Sequence, residues 1–331
     1  MSRDLYPHRR QRRLRTRPSV RAMVRENQLT ANDLIQPLFV KDTLGADDPI
    51  ASMPGQFRHS LPSLVDRAGR AWEAGVRAIA LFPKISDARK TEDGREAWNP
   101  EGLIPEAIRA LKSAFPELLV ITDVALDPYS SLGQDGIVRD GVILNDETIA
   151  ALVQQAACHA AAGADIVAPS DMMDGRVGAI RGTLDAAGRE ETLILAYSAK
   201  YASAFYGPFR DALDSAPRGG SDKRTYQMDP GNGNEALHEV AMDIDEGADW
   251  VMVKPGMPYL DIVWRVKETF GRPTFVYQVS GEYAMFKAAA ANGWIDERST
   301  VLEGLLGFKR AGADGVLTYY ATDVAEWLRQ G

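Results

Sequence analysis

Four stretches of this chain share one shape, and that shape narrows the possible folds more than any other feature. EAGVRAIALF (73–82), AAGADIVAPS (161–170), DEGADWVMVKP (245–255) and RAGADGVLTYY (310–320) each close a helix on glycine and then enter an apolar strand. Glycine supplies the left-handed cap that ends a helix, and short polar residues after it make the turn. The rhythm continues beyond these four. Strands are expected at 35–40, 76–82, 118–126, 164–170, 192–198, 248–254, 273–280 and 315–321, with helices at 63–75, 100–114, 145–162, 234–246 and 296–310. Near-continuous apolar strands mark a parallel sheet covered on both faces. Eight βα units in about 290 residues point to a TIM barrel over residues 31–331, with a doubly wound open sheet as the runner-up. The nucleotide-binding forms of the open sheet lose ground, because no GxGxxG or Walker A sequence follows the first strand.

Residues 1–30 stand apart as a basic arm. The first 27 hold nine arginines against Asp4 and Glu26, so they carry +7 in a chain of net charge −8. Such an arm suits nucleic acid or the acidic body of a sister subunit. The second partner is favoured, since no aromatic stacking platform is interleaved with the arginines. The acidic body also argues against a nucleic-acid binder. A nucleic-acid-binding protein using the arm remains the competing reading, with steeply salt-dependent binding as its signature. The single cysteine, Cys158, excludes an internal disulfide framework and a thiolate zinc site. No apolar run reaches the ~18 residues of a membrane span, and the basic amino terminus lacks the apolar core of a signal peptide. A cytoplasmic enzyme is the expectation.

Two strands end on lysine: LILAYSAK on Lys200 and WVMVK on Lys254. In a barrel the carboxyl ends of the strands converge on one mouth, where sites are built. A lysine there is ordinarily a solvated loop residue. Two of them with aromatic and apolar neighbours suggest something else. Burial and a second cation both disfavour the ammonium and free a lone pair for attack on a ketone. The other strand ends bring Asp123, with Asp127 and Asp135 beyond it, then Ser170, Tyr277, Ser280 and Tyr319. A long segment, 201–227, supplies Arg210, Lys223 and Gln227 and glycines at 207, 219 and 220, as a lid suited to an anionic substrate. Each has a plainer reading. The three aspartates suit turns or a magnesium site, Ser280 a helix N-cap, and Arg210 and Lys223 a solvated surface. The four histidines are scattered, so no histidine base, metal cluster or triad is expected. A Schiff-base aldolase on the same barrel is an alternative. It requires a phosphate loop near the last two strands, and VSGEYAM offers a single glycine for one.

YSAKYASAFYGPFRDA (197–212), TYQMDPGN (225–232), VMVKPGMPYLD (251–261) and YQVSGEYAM (277–285) together resemble the porphobilinogen synthase (5-aminolevulinate dehydratase) family, along essentially the whole chain. The resemblance implies a lyase that condenses two 5-aminolevulinate molecules into porphobilinogen, losing two waters, early in tetrapyrrole and heme biosynthesis. It implies a Schiff base on Lys254 for the first substrate and on Lys200 for the second. Ser280 and Tyr319 would hold the first carboxylate; Arg210 and Lys223, with Gln227 nearby, would hold the second. Lys223 falls where many relatives have arginine, so a point charge replaces a fork. Asp123 would lie near the first substrate's amine, and Asp127 and Asp135 near the second's. Zinc-using members carry three cysteines in the stretch that reads DVALDPYSSLGQDG (123–136) here, with Gln134 where histidine is common. The resemblance is therefore to an aspartate-rich branch with no active-site zinc, either magnesium-responsive or metal-independent. Glu239 matches the family's allosteric magnesium ligand; an exposed helix glutamate is its plainer reading. The arm would wrap a neighbouring subunit in an octamer or a hexamer.

Overall fold

The structure is a computed structural model that describes residues 9–215 and 222–330. Residues 1–8 of the arm, together with Gly219 and Gly220, lie outside the described residues. Eight parallel strands form a closed barrel: β1 Leu34–Lys41, β2 Ala78–Lys84, β3 Leu119–Val124, β4 Ile166–Pro169, β5 Leu193–Lys200, β6 Trp250–Lys254, β7 Thr274–Gln278 and β8 Gly315–Thr318. β8 returns to β1 in parallel register, Leu34 opposite Val316 and Ile35 opposite Leu317, which closes the ring. β1 is buried along its whole length, as a strand sandwiched between a packed interior and an outer helix layer must be.

The glycines of the recurrent motif do what their position requires. Gly75, Gly163, Gly247 and Gly312 have φ between 98° and 108°, the left-handed region that ends a helix without a Cβ penalty. The aspartate two residues later does a second job. Asp165, Asp249 and Asp314 each accept a backbone N–H from the first two residues of the preceding strand, from Val120 (2.8 Å), Ile194 (2.8 Å) and Thr274 (2.7 Å). One short motif thus ends a helix, opens a strand and pins its neighbour. All of this happens at the amino-terminal rim, so it serves stability and leaves the opposite rim free for chemistry.

Three expectations change in detail. Asn145 is the first residue of the helix Asn145–Ala162 and not its cap; its side chain is tied to the backbone of Asp174. The segment after β5 is not a bare loop. It forms a short turn, Ala204–Tyr206, and a helix, Gly207–Leu213. Arg58 donates to the carbonyls of Asp211 and Ala212, Ser52 to the Asp211 carboxylate, and Lys84 to Asp214. These contacts dock the segment across the mouth. The helix after β7, Ser280–Ala291, starts only two residues beyond the strand's last residue, Gln278, inside the expected strand 273–280. The described part of the arm, by contrast, is exposed, and its helix Pro18–Met23 buries no residue.

Candidate active site

Lys254 is the last residue of β6 and stands in register with Lys200, the last residue of β5. The pairing depends on a bulge. Val251 faces Ala196 and Val253 faces Ala199, so two steps of β6 span three of β5. Because strand side chains alternate, a one-residue slip flips a face. Without the extra residue, Lys200 and Lys254 would point to opposite sides. With it, both amines enter the barrel mouth, and both side chains are buried.

Their surroundings differ. Lys254 Nζ lies 4.7 Å from the ring centre of Tyr277, 5.0 Å from Phe209, 5.1 Å from Tyr197 and 5.2 Å from Tyr206. Burial among these rings, aided by the charge of Lys200, lowers its pKa to about 7 against the pull of Asp123, Asp135 and Asp127. Lys200 instead meets oxygen. Its Nζ donates to the carbonyl of Ser170 and lies 3.4 Å from Asp135 Oδ2. One amine sits among rings, and the other among oxygen acceptors.

The carboxylates form a graded set. Burial, then repulsion from Asp127, raises Asp123 to about 7, opposed by both lysines and the Ser170 hydroxyl. Asp127 is raised too, chiefly by burial, with Lys223 opposing. Asp135 is buried as deeply, yet Lys200 and Lys223 outweigh desolvation and hold it ionised. Lys223 Nζ donates to Asp135 Oδ1 (2.8 Å) and Asp127 Oδ2 (3.2 Å), while Gln227 Nε2 lies 3.5 Å from Asp135 Oδ2. Desolvation would lower Lys223, but the two carboxylates prevail and raise it. Lys223 is therefore no surface charge, nor is it a free cation in this state. Arg210 is the opposite: no hydrogen bond or ion pair among the described residues engages its guanidinium, which lines the same cavity.

On the β7–β8 side, the hydroxyls of Tyr277 and Tyr319 are 2.8 Å apart. Ser280 is the first residue of its helix and not the cap. Its Oγ accepts the N–H of Phe209 at 2.9 Å, which fastens the docked segment over Lys254. Tyr206 adds a second fastener by donating to the carbonyls of Tyr201 (2.8 Å) and Lys254 (3.3 Å). The cavity between these groups is about 30 Å³, room for about one water. Tyr206, Phe209 and Ser215 line it, and sequence reasoning did not pick them; the aromatic pair at 206 and 209, three apart beside a lysine strand, was the available signal.

Glu239 is not part of this centre. It is half-buried in a separate cavity of about 660 Å³, which Asp174 and Glu235 also line. Burial raises its carboxyl to about 7; Arg176 opposes this, and Asp243, Asp174 and Glu235 reinforce it. Among the described residues no group of three or more His, Cys, Asp or Glu side chains is placed to enclose a metal ion.

A barrel whose mouth pairs two buried lysine amines, among carboxylates and under an aromatic cover, defines an enzyme that activates carbonyl compounds through lysine. The model of one family, delta-aminolevulinic acid dehydratase, matches residues 8–327. The delta-aminolevulinic acid dehydratases of Bradyrhizobium diazoefficiens and Rhodobacter capsulatus are 59% and 53% identical to the chain. The alignments cover 97% and 98% of it, and 91% and 97% of those proteins. The crystal structure of delta-aminolevulinic acid dehydratase (porphobilinogen synthase) from Toxoplasma gondii, in complex with the reaction product porphobilinogen, superposes with a TM-score of 0.95. It is 55% identical and covers 96% of this chain and 91% of that one. The chain belongs to the delta-aminolevulinic acid dehydratase family.

Proposed function

We propose that the chain condenses two 5-aminolevulinate molecules into porphobilinogen with loss of two waters, using Lys254 and Lys200 as the two carbonyl-binding amines. The observation that carries this reading is their register pairing in one carboxylate-lined mouth. Lys254, half deprotonated near neutrality, attacks the ketone of the first substrate. The carbinolamine loses hydroxide as water and an imine remains. Asp123, also titrating near 7, is suited to give that hydroxyl its proton and take one back. Ser280 and Tyr319, with Tyr277 backing Tyr319, supply hydroxyls to the first carboxylate. Lys200 takes the second ketone while the carbonyl of Ser170 and Asp135 steer its amine. Arg210 takes the second carboxylate. Lys223 and Gln227 orient Asp127 and Asp135 toward the second substrate's ammonium, and Lys223 turns to the second carboxylate once that ammonium has replaced it. Holding both substrates makes the condensation effectively intramolecular, worth about 7–11 kcal/mol of barrier in well-oriented systems.

The site works without zinc, as an aspartate-rich member. Support comes from the donor chemistry of 123–136, oxygen without sulfur, and from the Lys223 ammonium between Asp127 and Asp135. Magnesium acts, where it acts, at Glu239. A half-buried carboxyl that burial and the neighbouring Asp243, Asp174 and Glu235 push up, against Arg176, fits a hard divalent ion held largely through water. The arm contacts a sister subunit in a homo-oligomer, octamer or hexamer; its exposed arginines and the −15 carried by the rest of the chain (−8 less +7) support this. No helix of the described residues is long and apolar enough to cross a membrane, which fits a cytoplasmic enzyme. The test is porphobilinogen formation in excess chelator, with and without added magnesium, in the wild type and in Glu239→Ala. Activity in chelator that magnesium raises only in the wild type is expected. Activity restored by zinc alone contradicts the zinc-free site.

A further inference from the structure

Glu282 is a buried carboxylate with no cationic partner among the described residues, 3% exposed, in the first turn of the helix Ser280–Ala291. Its two oxygens accept three backbone N–H groups: Val279 at 2.7 Å, Gly256 at 3.2 Å and Met257 at 2.6 Å. Val279 leads into Ser280. Gly256 and Met257 directly follow Lys254 and Pro255. One side chain therefore bolts the tip of β6, which carries the amine, to the tip of β7, which carries a carboxylate-binding hydroxyl. The backbone around the bolt is closely packed. A Cβ on Gly256 would come within 2.8 Å of the Phe308 ring and 3.0 Å of the Tyr277 carbonyl. One on Gly281 would come within 2.5 Å of the Phe205 carbonyl. Burying a carboxylate without a cation is costly, and the arrangement persists because three converging donors satisfy it. Helix capping alone needs one of those bonds; the other two reach across to the lysine strand.

We propose that Glu282 is a positioning residue that sets the distance from the Lys254 amine to the Ser280 and Tyr319 hydroxyls, and so reads the keto-to-carboxylate length of the first substrate. The inference rests on the roles given to Lys254, Ser280 and Tyr319 above. Glutamine at 282 offers one acceptor oxygen and turns an NH2 group against the remaining N–H donors, so one tip is released while side-chain volume is kept.

The experiment compares reductive trapping on Lys254 of 4-oxopentanoate, which has the substrate's spacing, with trapping of 5-oxohexanoate, one methylene longer. It is run on the full-length wild type, Glu282→Gln and Glu282→Ala, with adducts located by peptide mass. One methylene in a fitted pocket is worth about 10–200-fold, and the wild type is expected to prefer the shorter acid within that range. In Glu282→Gln the preference falls about tenfold, through slower trapping of the short acid with the long one little changed. Loss of a purely structural support would slow both acids together. An unchanged ratio in both variants, or parallel loss of both adducts, overturns the proposal. Absence of any adduct in the wild type overturns the Schiff-base reading itself, and the two failures are thereby told apart.

Discussion

Replacing Lys200 by methionine should make Lys254 harder to deprotonate, because it removes the Lys200 charge, which is the second cause, after burial, of the depressed Lys254 pKa. The two residues are register partners on adjacent strands. Strands are about 4.8 Å apart, so the amines lie on the order of 6 Å apart. At that distance and an effective dielectric near 20, two unit charges repel by about 3 kcal/mol, or about 2 pKa units. Screening by nearby groups trims this, so a rise of about 1–2 units is expected. The freed Asp135 carboxylate acts in the same direction, since it already favours the Lys254 ammonium. At a pKa of about 7 half the Lys254 amine is free at pH 7. After a rise of about 1.5 units only about 3% is free, a loss of about fifteenfold. The assay is the initial rate of cyanoborohydride trapping of 4-oxopentanoate on Lys254 between pH 5.5 and 10. The Lys200→Met profile should shift to higher pH and meet the wild type again at the alkaline end. A midpoint that stays put, or moves to lower pH, refutes the electrostatic pairing of the two amines.

Arg210→Gln should raise KM about 10–100-fold, the value of a charge-assisted carboxylate contact, and leave Tm unchanged because the guanidinium has no ion pair among the described residues to lose; a fallen Tm would show otherwise. Asp249→Ala leaves the Ile194 N–H without its acceptor and should cost about 1–3 kcal/mol in denaturant unfolding, with kcat and KM at 25 °C intact. A drop in kcat would contradict the separation of a stabilising rim from a catalytic one. His159 is fully buried, and burial, against a weak opposing contact from the Ala97 backbone, depresses its pKa to about 3. The native state keeps it neutral while the unfolded chain protonates near 6.5, so stability is whole above that pH and falls as pH drops toward 3. His159→Leu should flatten that acid limb in unfolding measured from pH 7 to 4; an unchanged slope assigns it to other groups.

The barrel was legible because its signals are local and repeated. Glycine at four helix ends, an aspartate two residues later in three of them, and apolar runs of strand length need no tertiary knowledge. The two lysines were legible as strand-final residues. Their pairing was not, since the β5 bulge that turns Lys200 to the same side as Lys254 leaves no mark in LILAYSAK. Burial of Lys223 was missed for a related reason: its partners Asp127 and Asp135 are about ninety residues away in the chain, and only the fold joins them. Segment 201–227 looked like a loop because its helix has seven residues and opens on glycine and proline. What holds that helix in place is Arg58, Ser52 and Lys84, which nothing in its own sequence announces. Glu282 was visible as a residue of a first helical turn, but its bonds to Gly256 and Met257 cross between strands and appear only in three dimensions.

The most direct measurement is borohydride trapping with 5-aminolevulinate in excess chelator, followed by mass mapping of the lysine peptides. Reduced adducts on the peptides holding Lys254 and Lys200, and on no other lysine, are the result expected from paired amines that need no divalent ion. Folded protein that yields no adduct on either peptide, with or without magnesium, would contradict lysine-based carbonyl chemistry at this site.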